Sequence, residues 1–264
     1  MIALAAGAVT ATVVPDVGGR VGSLRVGGTD LVVTGDPADR STLWGSFPMA
    51  PWAGRLGHGR FTHEGITHQL AVNLPPHAIH GTVASRPWTV QDAGRSFVTM
   101  TCELGDGWPF GGIAHQRIEL RPDALHCALG VTAGELSMPV VIGWHPWLRA
   151  SAVRVEATAM YERDGQDLPT GALVAPAPRP WNDCFLTTRP VRATVGDVTV
   201  AVASDCDHVV VFDELADGIA VEPQSGPPDA FNLRADVIGP GETIARTMTI
   251  TWQRALHDAV PTNG

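Results

Sequence analysis

Four short segments carry side chains able to hold or move protons where strand patterning alone does not require them. In Val221-Glu222-Pro223-Gln224-Ser225-Gly226-Pro227-Pro228-Asp229-Ala230-Phe231-Asn232 an apolar run delivers a carboxylate into a Pro and Gly loop. A buried carboxylate is costly unless paired, and its desolvation raises the pKa toward the range of a useful general base. The structural alternative is a rim Glu in a rigid turn. In Val140-Val141-Ile142-Gly143-Trp144-His145-Pro146-Trp147 an apolar strand ends in a His between two indoles. Such a His serves either as a hydrogen-bonded core residue or as an acid. Trp144 and Trp147 beside it suit a sugar, because indole faces pack against the C–H face of a pyranose while their N–H groups reach hydroxyls.

Phe47-Pro48-Met49-Ala50-Pro51-Trp52-Ala53-Gly54-Arg55 places a guanidinium after an aromatic segment whose two prolines should prevent regular ladder pairing. Arg55 is either a surface residue or a five-donor fork for vicinal hydroxyls. Asn73-Leu74-Pro75-Pro76-His77-Ala78-Ile79-His80-Gly81 holds two histidines three residues apart. That is half of a metal site, but no third ligand lies at recognisable spacing, so no metal is expected. His80 is a solvent-exposed loop residue or a catalytic one, and Gly81 would let a ligand approach the backbone.

The elements that must position these groups are strands. In Phe97 to Leu104 and Thr247 to Trp252 apolar residues alternate with polar ones at period two. Gln116 to Thr132 reads as a hairpin turning at Pro122-Asp123, with Leu125, Cys127, Leu129 and Val131 on one face, and Arg60 to Leu70 as another turning at Glu64-Gly65. Twenty-nine Gly and twenty-one Pro punctuate the chain, and helical periodicity is almost absent. These features predict an all-β fold, a large antiparallel sandwich spanning 1–264 as one domain, with Pro169 to Pro180 a long loop over it. A domain boundary at that loop is the alternative.

Of 264 residues, 44% are hydrophobic and 17% charged, a globular composition. A net charge of -9 argues against nucleic acid as a partner. All eighteen basic residues are Arg, which excludes Schiff-base chemistry on a side-chain amine and a P-loop lysine. The apolar stretch Met1 to Val14 lacks a basic flank and reads as a strand, not a leader, and no run reaches membrane-spanning length. Cys102, Cys127, Cys184 and Cys206 are far apart, which predicts buried thiols and a reducing, cytoplasmic setting.

Taken in order, the motifs resemble those of the aldose 1-epimerases, or galactose mutarotases. Pro51-Trp52-Ala53-Gly54-Arg55 is similar to that family's aromatic segment ending in a substrate-binding Arg, and His77-Ala78-Ile79-His80-Gly81 to its His-Gly loop. Ile142-Gly143-Trp144-His145-Pro146-Trp147 resembles its His-Pro-aromatic segment, Asn182-Asp183-Cys184-Phe185 its Asp-containing loop, and Val221-Glu222-Pro223-Gln224 its Glu strand end. The resemblance implies a two-sheet sandwich of the galactose mutarotase-like supersandwich type, holding a sugar on a concave face. It implies Glu222 as the base at the anomeric hydroxyl, His145 as the acid at the ring oxygen, His80 assisting, and Arg55 and Asp183 holding hydroxyls. Trp52, Gly54 and Trp147 depart from residues common in the family. The expected partner is a small aldose and the expected assembly a monomer or homodimer, with no cofactor and no membrane. Three alternatives stay open: a hexose 6-phosphate epimerase using Arg86 and Arg95, a silent sugar-binding module, and a glycoside hydrolase or lyase in which Asp183 opposes Glu222.

Overall fold

Period-two alternation gives each strand one apolar face, and burying those faces against one another makes two layers. The computed structural model describes residues 1–39 and 41–254. Among them the strands form an 11-stranded and an 8-stranded antiparallel sheet, with three two-stranded ribbons. The 8-stranded sheet is centred on Ile113–Leu120, Ala124–Thr132 and Thr243–Arg254, whose register sets Cys127 opposite both Ile118 and Met248. Their inward side chains join one core with Trp144, Leu148, Phe185, Val209, Val211, Ile219 and Val221 of the 11-stranded sheet. Burying an aliphatic or Phe side chain of this kind stabilises the fold by about 1.5–3 kcal/mol.

Several sequence expectations hold. Arg60–His63 pairs with Ile66–Gln69 about Glu64 and Gly65, both at positive φ, and Ile113–Leu120 pairs with Ala124–Thr132. Residues 1–14 form a hairpin, Ile2–Ala6 on Val9–Val14. The four cysteines are buried and unpaired with one another. No helix among the described residues is long and apolar enough to cross a membrane.

Two expectations need correction. Pro169–Val174 is a strand on Ala159–Arg163, not part of a loop, because Thr170 to Val174 keeps its amides and Pro169 sits at the strand's first position. Ser46–Met49 does enter the ladder: Pro48 lies opposite Trp144 and Phe47 opposite His145. An antiparallel partner calls on alternate amides only, so one Pro is accommodated. Through this strand the segment 47–55 is fastened beside the one bearing His145.

Candidate active site

On the side of the 11-stranded sheet away from the shared core, register aligns a row of side chains. Gly143 pairs with Gln224 and Trp147 with Ala220, which sets His145 across from Glu222. The row continues from Phe47, opposite His145, through Glu222 to Val210 and Cys184 on two further strands. His145, Glu222, Val210 and Cys184 line a cavity of about 260 Å³. At its floor His145 Nε2 lies 3.2 Å from Glu222 Oε1, and both residues are buried. Gln224, wholly buried two residues along, donates from Nε2 to Glu222 Oε2 at 3.2 Å.

Two loops close over this floor. Arg55–Leu56 pairs with Ala78–Ile79, which carries Arg55 and His80 to the same rim. His80 adopts φ 63, a region a non-Gly residue enters only when its surroundings hold it there. Its N–H donates to the Gly54 carbonyl at 3.0 Å. A Cβ on Gly81 would stand 2.0 Å from the Ala50 carbonyl oxygen, so this glycine admits another stretch of chain, not a ligand. The imidazole of His80 meets that of His145 edge-on, centroids 4.8 Å apart. The loop after Glu222 turns back to brace the rim: Asp229 Oδ1 accepts the Gly57 N–H at 2.7 Å, and its own N–H donates to the Arg55 carbonyl.

Burial governs the electrostatics. It pushes the Glu222 carboxyl up to about 8, against the opposing pull of Arg55 and the Gln224 hydrogen bond. It pushes His145 down to about 3, with the Arg20 charge adding to the effect. His80 lies well below the ordinary imidazole value for the same reason, reinforced by His145 and Arg55. Burial therefore favours, at neutral pH, the uncharged form of the His145–Glu222 pair, with one proton on the carboxyl. A neutral pair and an ion pair contain the same single proton and interconvert by moving it across one contact.

The fold thus brings together Glu222, His145, His80, Arg55 and Trp147, all on the cavity wall. Trp144 and Asp183 are set apart. Trp144 has the opposite strand parity to His145 and lies in the core. On the strand Asn182–Leu186 it is Asn182 and Cys184 that line the cavity, while Asp183 is buried and accepts from Arg163 Nε at 2.7 Å. His77 is tied by its own ring, accepting the His58 N–H on Nδ1 and bonding the Gln166 carbonyl from Nε2. Arg86 lies against Cys102 and Gly105, and neither it nor Arg95 lines the cavity.

Sequence reasoning missed Tyr161, Arg163, Asp167 and Asn182, which also line the cavity. Arg55 reaches Asn182 Oδ1 at 3.4 Å and Asp167 Oδ2 at 3.5 Å, and Arg163 bonds Asp167 Oδ1 at 2.5 Å. Among the described residues, the cavity cations Arg55 and Arg163 are thereby already matched by carboxylates. Tyr161, the one tyrosine of the chain, was the available signal, and its hydroxyl bonds His208 Nε2 at 3.2 Å.

A family model described as aldose 1-epimerase matches residues 1–231. Among curated proteins the chain is similar to the uncharacterized protein YihR of Escherichia coli strain K12, 26% identical over 274 residues that cover 90% of this chain and 87% of the relative. A galactose mutarotase-like protein from Clostridium acetobutylicum superposes with a TM-score of 0.86 at 16% identity, covering 96% of this chain and 95% of that one. Galactose 1-epimerase from Lactobacillus acidophilus NCFM superposes with a TM-score of 0.82 at 17% identity, covering 96% and 94%. At such identities these likenesses establish a shared fold. The family match, covering most of the length, carries the further conclusion that this chain belongs to the aldose 1-epimerase family.

Proposed function

We propose that the protein interconverts the α and β anomers of an unphosphorylated aldose by ring opening and reclosure, working as one unit over 1–264, with the His145–Glu222 pair moving the protons. The observation that carries this reading is the 3.2 Å approach of a buried imidazole to a buried carboxyl at the floor of a sugar-sized cavity. Ring opening takes a proton from the anomeric O1 hydroxyl and gives one to the ring oxygen, so it needs one base and one acid facing those atoms. In the charge-separated form of the pair, the Glu222 carboxylate takes the O1 proton while the His145 imidazolium protonates the ring oxygen. Arg55 favours that form by stabilising the carboxylate.

Once the ring has opened, Glu222 is protonated and His145 neutral, which is the resting proton distribution of the free pair. Burial, which disfavours charge on both groups, thus favours the open-chain stage of the reaction. Rotation about C1–C2 presents the other carbonyl face, and reclosure with Glu222 as acid and His145 as base yields the other anomer. His80 stands edge-on to His145, where it can assist at the ring oxygen, and Arg55, Asn182 and Trp147 are the cavity groups suited to hydroxyls and a pyranose face. Among the described residues, the two cavity cations Arg55 and Arg163 are already paired with Asp167 and Asp183, which argues against a phosphate.

Polarimetry of freshly dissolved α-D-glucose and α-D-galactose tests the reading. Wild-type protein should accelerate the approach to equilibrium, and Glu222→Gln and His145→Asn should each lose about 10²-fold or more, the scale of one positioned acid or base. Sugar binding without acceleration would instead favour a binding module.

A further inference from the structure

Sequence spacing offered only His77 and His80 as a metal half-site, but the fold assembles a different trio. One donor atom each from His80, His145 and Glu222 lies within 4.8 Å of the other two, and all three residues are buried. Among the described residues, Nδ1 of His80 and Nδ1 of His145 find no hydrogen-bond partner. Two imidazoles and one carboxylate, with a remaining position open to the cavity, suit Zn2+ and its neighbours in the first transition row. Donors around a tetrahedral Zn2+ stand about 3.4 Å apart, given bonds of about 2.0–2.1 Å. The His145–Glu222 side is already at 3.2 Å, so only His80 has to draw in.

We propose that His80, His145 and Glu222 bind one divalent transition-metal cation in competition with sugar, and that the cation inhibits the enzyme. Burial keeps both rings neutral, so their lone pairs are free for ligation. The only proton to be displaced is the one on Glu222. A resident cofactor is a poorer fit than a reversible inhibitor, because histidines that hold a dedicated metal normally pass their other ring N–H to a carboxylate or carbonyl. Here neither Nδ1 has such a partner. The positive charge of Arg55 at the rim also opposes tight retention. Inhibition rests on the mutarotase reading above; binding does not.

The test is titration of the full chain with Co2+ in the absence of sugar, read by the visible absorption of the protein-bound ion. The expected result is one Co2+ per chain, bleached by Zn2+, with affinity at least about tenfold weaker in His80→Gln and in Glu222→Gln. No absorption, or absorption undiminished in both variants, overturns the site. Should a variant fail to fold, a Tm of the wild type raised by Zn2+ and lowered again by a chelator carries the same expectation. An unchanged Tm then counts against the site. Polarimetry with Zn2+ added and then chelated reads the second half: mutarotation should fall and recover. Mutarotation unaffected at saturating Zn2+ overturns the inhibition. A protein that binds Co2+ but accelerates no anomer exchange sinks the mutarotase reading alone.

Discussion

The ring of Phe47 stacks on the imidazole of His145, centroids 4.7 Å and planes 21° apart, and the guanidinium carbon of Arg20 lies 5.1 Å from the centre of that same Phe47 ring. A wholly buried cation thus backs the residue proposed as the acid. Its charge is held by backbone carbonyls: Nε donates to Val17, Nη1 to Ser41 and Trp44, and Nη2 to Ala84. Burial brings its pKa down to about 10, which leaves it ionised at neutral pH.

Replacing Arg20 with Gln should therefore cost about 3 kcal/mol or more, since it strands several buried carbonyls behind the site. Urea unfolding followed by Trp fluorescence measures it. A loss under about 1 kcal/mol would mean that water takes over those carbonyls.

Under the proposed mechanism, the proton shared by His145 and Glu222 should set the pH range of activity. The pair loses it as pH rises through about 8 and gains a second as pH falls through about 3. Mutarotation rates corrected for the uncatalysed reaction should trace a bell between those limits. A basic limb unmoved by Glu222→Gln, measured on its residual activity, would assign that limb to another group.

Stability should follow pH through the same carboxyl. Its folded-state pKa lies above the ordinary 4.5, so its contribution is complete below that value and is lost as pH rises through about 8. Glu222→Gln cannot ionise and escapes the loss. The Tm of the variant relative to wild type should climb between about pH 5 and pH 8 and level off above that. His145 runs the other way, its contribution being lost as pH falls from the ordinary 6.5 through about 3. A flat difference in Tm would show that Glu222 is not desolvated.

Tyr161 borders the cavity with its hydroxyl bonded to His208 Nε2, while His208 Nδ1 lies 2.6 Å from Asp207 Oδ1. The phenol proton is thus committed away from the cavity, leaving the ring as an apolar wall for a sugar. Tyr161→Ala should raise KM about tenfold, the scale of one lost aromatic contact and its buried area, and leave kcat within about threefold. Tyr161→Phe should stay near wild type in both. A fall in kcat with KM unchanged would move Tyr161 into the chemistry.

Much of this architecture was legible because strand alternation is written locally: Val98, Met100 and Cys102, or Leu125, Cys127, Leu129 and Val131, each declare a buried face. The same rule separates His145 and Trp147 from Trp144. The two indoles drew attention together, although period two allows only one of them to share the face of His145. Parity also divides Asn182 from Asp183, the latter lying two residues from the wholly buried Phe185. What no local pattern could supply is pairing across long separations. That Arg163 engages Asp183, that Arg55 meets Asp167, and that Arg20 sits behind Phe47 follow from sheet order, which depends on which distant strands adjoin.

Phe47, His145, Glu222, Val210 and Cys184 come from five separate strands drawn from most of the length of the chain. Contacts so distant in sequence are closed slowly, after local hairpins such as 60–69 have formed. During refolding, intrinsic fluorescence and sheet signal should therefore return before any sugar can be turned over. On the proposed function, a chain cut between the Phe47 and Glu222 strands should gain activity only if its two pieces find each other, so that anomer exchange would report fragment complementation.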